Sequence, residues 1–244
     1  NIMLNLVTCG LIFFGGIGFL VIREMWQYRL SFRKYSMHAK VVLSVSGVLI
    51  IVGTLLLKLT ENVTWLGAFF HSVSARTAGF STYPLGTFSN AGLLVLTALM
   101  FIGASPGSTG GGIKTSTFFA LLMSVRSLMT KKHYGAFHRS IPAEGISKAY
   151  MIAFLSLLVV CGGTFLLCVL EPEYTFIQLM FEVTSAFGTV GLSTGITPGL
   201  GNMSKLVIIL IMFIGRLGAF TLASMWVCRP APHARYIEES IIIG

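Results

Sequence analysis

The hexapeptide Thr77-Ala78-Gly79-Phe80-Ser81-Thr82 has a counterpart 112 residues later, Thr189-Val190-Gly191-Leu192-Ser193-Thr194. Met100-Phe101-Ile102-Gly103 recurs as Met212-Phe213-Ile214-Gly215 at the same offset of 112, without a gap. Two matches at one offset mark a tandem repeat, and the fold must then be built from copies of one unit. Each unit reads as helix, loop, short apolar helix, Thr-x-Gly-x-Ser-Thr loop, helix. A partial third copy opens the chain: Phe13-Phe14-Gly15-Gly16-Ile17-Gly18 resembles Phe213-Ile214-Gly215-Arg216-Leu217-Gly218. The last helix of one unit followed by two whole units is the expected content, within a longer protein.

The solvent around these units is lipid. Of 244 residues, 55% are hydrophobic and only 10% charged, with a mean hydropathy of +0.84. A soluble domain carries about 25% charged residues. Segments 2–22, 40–59, 88–129, 147–170 and 203–227 are long enough to cross a bilayer of ~30 Å as helices. The third is broken by Ala104-Ser105-Pro106-Gly107-Ser108-Thr109-Gly110-Gly111-Gly112, a composition that no helix survives. Two further apolar stretches, Trp65 to Ala75 and Tyr174 to Phe187, are too short to span and read as re-entrant or interfacial helices. Non-helical backbone after them must line a watery cavity or be buried in protein.

Charge sets the orientation. Segment 23–40 carries Arg23, Arg29, Arg33, Lys34 and Lys40; segment 126–148 carries Arg126, Lys131, Lys132, Arg139 and Lys148; the tail adds Arg229 and Arg235. This side is expected to be cytoplasmic. The net charge of +9 is thereby explained by topology and lipid head groups, without nucleic acid. Arg76, Lys114 and Arg216 fall at membrane depth, where an ionisable group marks a functional site by default. Glu182 lies mid-way along the second short helix and needs a partner if ionised. Cys9, Cys161, Cys168 and Cys228 read as buried, inert thiols. His38, His133, His138 and His233 read as solvated and His71 as a packing residue, with no metal-binding spacing among them. Gly107 to Thr115 imitates a phosphate-binding loop, but Ile113 separates Gly112 from Lys114 and the motif fails. No acid/base pair or metal set supports an enzyme.

A repeated Thr-x-Gly-x-Ser-Thr loop at membrane depth can direct successive carbonyls into a lumen, where they replace the water around a monovalent cation. Gly79 and Gly191 permit backbone angles closed to other residues. Neither loop holds a carboxylate, so selection by charged rings, as for divalent ions, is disfavoured. Tight turns between packed helices are the plainer reading of one copy. Two copies, each after a short apolar helix, favour a pore.

Four motifs carry a family likeness: Ala75-Arg76-Thr77-Ala78-Gly79-Phe80-Ser81, Ser105-Pro106-Gly107-Ser108-Thr109-Gly110-Gly111-Gly112-Ile113-Lys114-Thr115, Gly188-Thr189-Val190-Gly191-Leu192-Ser193 and Gly215-Arg216-Leu217-Gly218. With them the chain resembles the pore subunits of the Trk/Ktr/HKT potassium transporters, bacterial Ktr most closely. The resemblance implies an all-α integral membrane fold of tandem helix–pore-helix–helix repeats with re-entrant filter loops, in the cell membrane. It implies residues 1–39 as the last helix of a preceding repeat plus linker. Residues 40–146 and 147–228 follow as two pore repeats, and 229–244 as a cytoplasmic tail. Potassium ligands would be the carbonyls of Thr77, Ala78, Gly79, Phe80, Thr189, Val190, Gly191 and Leu192. Gly107, Gly110, Gly111, Gly112, Lys114 and Arg216 would form an intramembrane gate. The likeness further implies no covalent cofactor, sodium as a candidate coupling ion, a homodimer, and a cytosolic ring of nucleotide-binding regulatory subunits. Two loops cannot encircle an ion, so the pathway needs the rest of a longer protein. An alternating-access carrier for another small solute is the principal rival. Its repeats are commonly inverted, whereas both complete units here start and end on the basic side.

Overall fold

The computed structural model describes residues 2–29, 31–130, 135–137, 139–218 and 221, and most of these are helical. In chain order the helices are α1 (Ile2–Ile17), α2 (Phe19–Tyr28), α3 (Met37–Thr60), α4 (Trp65–Ser74), α5 (Asn90–Phe101), α6 (Thr115–Thr130), α7 (Ala143–Leu170), α8 (Phe176–Phe187) and α9 (Asn202–Leu217). A two-residue hairpin, β1 (Gly135–Ala136) with β2 (Arg139–Ser140), lies between α6 and α7. Helices start where an oxygen-bearing side chain can satisfy the first free N–H groups. Ser36, Thr64 and Ser89 accept from Ala39, Gly67 and Gly92 at 3.2, 3.1 and 3.1 Å. At α8 the backbone N–H of Thr175 donates to Gln178 Oε1 at 3.1 Å.

The two matched stretches of sequence fall on α3–α4–α5 and α7–α8–α9, each a long helix, a short helix and a third. The short helix of each is the buried one: α4 sits among α1, α3 and α5, and α8 among α5, α7 and α9. From Phe181 to Phe187 every residue of α8 is buried, as are Phe70 to Ser74 in α4. The outer helices instead expose large apolar side chains, such as Ile51 and Leu59 on α3 and Phe154 and Phe165 on α7. This inversion, with polar groups inside and apolar ones outside, suits lipid as the surrounding solvent.

Among the described residues α3 and α7 are each long and apolar enough to cross a membrane. The third expected span is broken as its composition requires, between α5 and α6. The first expected span, 2–22, is not continuous: α1 and α2 meet at a bend of 101°. Gly18 makes that bend with φ 85°. The helix is given up there because the backbone turns to meet the glycine-rich segment. Phe19 N–H donates to Gly107 O at 3.3 Å, and Ser105 N–H donates to Gly16 O at 3.0 Å. Gly218, the repeat partner of Gly18, ends α9 with φ 87°. The expected continuation to 227 and the tail 229–244 lie outside the described residues, Thr221 excepted.

Each repeat also ties its ends together with a carboxylate. Glu61 Oε1 accepts from Ser89 N–H and Oγ at 2.9 and 2.6 Å. Glu171 Oε1 accepts from Gly201 N–H and Ser204 Oγ at 2.6 and 2.7 Å. The Gly201 N–H, and after it the Ser204 hydroxyl, hold the Glu171 carboxyl below the usual carboxylate range. A lowered folded value means that this contact is fully present at neutral pH and is lost as pH falls through that value. The thermal midpoint gap between wild type and Glu171→Gln is therefore expected to be full at pH 7. It closes only in acid below the ordinary carboxylate range. A gap that persists unchanged there would show that the charge is irrelevant.

Candidate functional site

The two repeated loops lie against each other. Thr77 and Thr189 both hold a positive φ, 73° and 49°, and Gly79 and Gly191 follow at 80° and 94°. A non-glycine residue with positive φ is uncommon, and its recurrence at matched positions shows that the two loops share one backbone design. Each loop is turned back onto its short helix. Ala78 and Gly79 N–H donate to Ser74 O at 3.0 and 3.3 Å, and Val190 N–H donates to Ser185 O at 2.9 Å. Gly79 is so close to the other loop that a Cβ there would overlap Val190 O and lie 3.2 Å from Gly191 Cα. Among the described residues no donor reaches the carbonyls of Thr77, Ala78, Gly79, Thr189, Val190, Gly191 or Leu192. Phe80 differs, because its carbonyl accepts from Ser74 Oγ.

The glycine-rich segment sits directly against both threonines. Gly111 N–H donates to Thr189 Oγ1 at 3.0 Å. A Cβ on Gly110 would overlap Thr77 Oγ1, and one on Gly111 would come within 2.8 Å of Thr189 Oγ1. Glycine is required there by proximity, and at Gly107 and Gly112 also by φ of 76° and 70°. Two cations fasten the segment. Lys114 Nζ donates to Gly110 O, and the guanidinium of Arg216 donates to Thr109 O. Arg76 approaches from behind. It is 7% exposed and donates to Ser46 O at 3.4 Å and Gly103 O at 3.5 Å.

The family model described as "Cation transport protein", TrkH, matches residues 42–233. The chain belongs to the TrkH cation transport family. It is 38% identical to the Ktr system potassium uptake protein B of Vibrio alginolyticus, over 99% of this chain and 56% of that protein. It is 37% identical to the potassium/sodium uptake protein NtpJ of Enterococcus hirae, over 100% of this chain and 58% of that protein. The crystal structure of the potassium transporter TrkH from Vibrio parahaemolyticus shares the fold. Its TM-score is 0.76 and its identity 19%, covering 93% of this chain and 53% of that one. The chain thus spans a little over half the length of the relatives it matches. A multi-pass membrane protein follows from the family and the apolar helices.

Within this TrkH-family chain, one acid matters more than its sequence suggested. Glu182 Oε1 accepts from Ser193 Oγ at 2.7 Å, Thr194 N–H at 2.9 Å and Thr194 Oγ1 at 3.2 Å, and Oε2 accepts from Thr197 Oγ1 at 2.8 Å. It staples the second loop to α8. Of the two structural partners open to Arg216, Glu182 or a loop carbonyl, it takes the Thr109 carbonyl, while Glu182 is occupied by hydroxyl and amide donors. In the first copy His71, one residue out of the 112-residue register from Glu182, faces the loop instead. Its Nε2 faces Thr82 Oγ1 at 3.4 Å, and Thr82 is the repeat partner of Thr194. The sequence signal was a lone acid inside a short apolar helix, about a dozen residues before a Ser-Thr pair.

Two bland readings also change. Cys161 is exposed on α7 rather than buried, while Cys9 is buried and Cys168 half-buried. His38 is only partly solvated, with Nε2 buried. Cys228, His133, His138 and His233 lie outside the described residues.

Proposed function

We propose that this chain supplies two of the carbonyl-lined filter loops of a potassium-uptake pore, gated from below by residues 104–112. The carrying observation is the contact of the two Thr-x-Gly loops at Gly79 and Val190, with the glycine segment touching both threonines. Carbonyls of Thr77, Ala78, Gly79, Thr189, Val190, Gly191 and Leu192, which meet no donor among the described residues, can take the place of an ion's water. Phe80 contributes more weakly, since Ser74 shares its oxygen. Residues 40–146 and 147–228 act as two pore repeats, with α4 and α8 as their re-entrant pore helices. Residues 1–39 end a preceding repeat. Potassium is the transported ion; the potassium/sodium relative makes sodium the candidate for coupling. A homodimer with a cytosolic nucleotide-binding regulatory ring is the assembly the family likeness implies.

The gate makes this reading testable. Arg216 and Lys114 hold the glycine segment by carbonyl bonds, and both place positive charge beside the path of a cation. A hydrogen bond to a charged group is worth about 1.5–3 kcal/mol, at least about tenfold in a gate equilibrium. In proteoliposomes with the full-length protein, potassium flux is expected to rise about tenfold in Arg216→Ala, with Arg216→Lys in between. Flux that stays unchanged or falls in Arg216→Ala would remove the gate from the proposal. Absence of potassium flux in the wild type would remove the pore.

A further inference from the structure

We propose that the basic face of this chain contains a pocket for the phosphate head group of an anionic phospholipid. The two basic stretches, far apart in sequence, converge there. Lys40 Nζ lies over the rings of Phe32 and Phe137, at 5.9 and 6.0 Å from their centroids, and those rings meet edge-on at 6.3 Å. This clasp between the chain before α3 and the hairpin before α7 leaves a cavity of about 510 Å³.

Arg23 of α2, Lys34 of the turn Phe32–Lys34 and Arg139 of β2 line the cavity from three separate elements, together with His38. Among the described residues none of the three strong bases has a carboxylate at ion-pair distance. Glu24 is the one acid in the lining, and its Oε2 already accepts from Ser36 N–H at 2.8 Å. His38 Nε2 is buried without a hydrogen-bond partner among the described residues. Three exposed cations around one concavity, none with a carboxylate among the described residues, form a focus of positive potential that attracts an anion.

The other flank of α2 shows which anion. Phe19, Ile22 and Trp26, spaced three and four apart, form one apolar stripe beside a groove that Arg23 also lines. Trp26 is 89% exposed and Phe19 64%. α2 turns 101° from α1 and sets this apolar stripe beside Arg23, the pattern of an interfacial amphipathic helix. A phosphate on one flank and an acyl chain on the other, with Arg23 between them, match a glycerophospholipid. A soluble phosphate would leave the Trp26 stripe idle, and so would an acidic protein segment.

The experiment uses the full-length protein in nanodiscs of phosphatidylcholine containing a minor share of phosphatidylglycerol, with retained lipid identified by mass spectrometry. Phosphatidylglycerol is expected to be enriched over phosphatidylcholine. Arg23→Gln, Lys34→Gln and Arg139→Gln are each expected to reduce that enrichment about fivefold, the equivalent of about 1 kcal/mol per basic residue near an anionic surface. Trp26→Ala should lower retention as well. Gln27→Lys adds a cation to the lining and is expected to raise retention, a gain that misfolding cannot imitate. Enrichment unaffected by the three neutralising variants and by Gln27→Lys overturns the proposal. Displacement of the retained lipid by millimolar inorganic phosphate also overturns it, in favour of a soluble anion. Loss of enrichment when a cytosolic partner is added reassigns the pocket to a protein interface and equally overturns it.

Discussion

Gly79→Ser in the full-length protein is expected to reduce potassium uptake by at least about tenfold, the equivalent of about 1.4 kcal/mol. Gly191→Ser is expected to act differently, although the two glycines are repeat partners. Both have positive φ, so any side chain costs about 1–3 kcal/mol of backbone strain. At Gly79 a Cβ would also overlap Val190 O, and the two loops must then separate. At Gly191 a Cβ meets Gly79 Cα only at 3.8 Å, an ordinary contact. The first substitution should therefore disturb the pairing of the loops and lower both flux and thermal stability. The second should cost stability only through that backbone strain and act mainly on potassium-over-sodium preference. The measurement is radiotracer or fluorescence uptake of both ions with a melting curve for each variant. Wild-type uptake and preference in both variants would end the filter proposal. Equal stability losses in both would show that strain alone, and not contact between the loops, sets the effect.

Glu182 offers the second large effect, and two substitutions divide its roles. Glu182→Ala leaves the Thr194 N–H and hydroxyl without their acceptor, while Ser193 Oγ and Thr197 Oγ1 lose the carboxylate and keep their bond to each other at 2.8 Å. A buried donor left unsatisfied costs about 1–3 kcal/mol. The second loop should lose its fixed shape, with uptake reduced about tenfold or more and ion preference blurred. Glu182→Gln retains an oxygen for the three bonds now made to Oε1 and presents its amide to Thr197, whose hydroxyl can accept. Only the negative charge is gone. This variant is expected to assemble normally and to show a raised KM for potassium with kcat little changed. If Glu182→Ala proves harmless, the loop is held by something other than this carboxylate. If Glu182→Gln is as damaging as Glu182→Ala, geometry and charge are not separable here.

The legible parts of this chain were those fixed by local composition or by repetition. Helix failure at Ala104–Gly112 needs no partner to predict, because proline and four glycines cannot sustain i to i−4 bonding. Likewise the matched Thr-x-Gly loops announced one backbone design used twice, and positive φ at Thr77, Gly79, Thr189 and Gly191 is that design in angles. The bend at Gly18 was not legible. Glycine within an apolar run is compatible with a continuous span, and only the nearness of Pro106 and Gly107 makes the turn necessary. Nor could Cys161 be told from a buried thiol, since α7 is apolar on its lipid side as well as its inner side.

Repetition, hydropathy and charge by themselves determined that this is a membrane chain with paired loop units and a basic face. Those properties depend on residues near one another in sequence, or on a comparison of the sequence with itself. Only the packed helices decided that Gly79 meets Val190, that Glu182 serves Ser193, Thr194 and Thr197, and that Arg139 joins Arg23 and Lys34 around one cavity. Each of these depends on the angle and depth at which helices from different units meet. No local preference encodes that arrangement, because it minimises the free energy of the whole assembly at once.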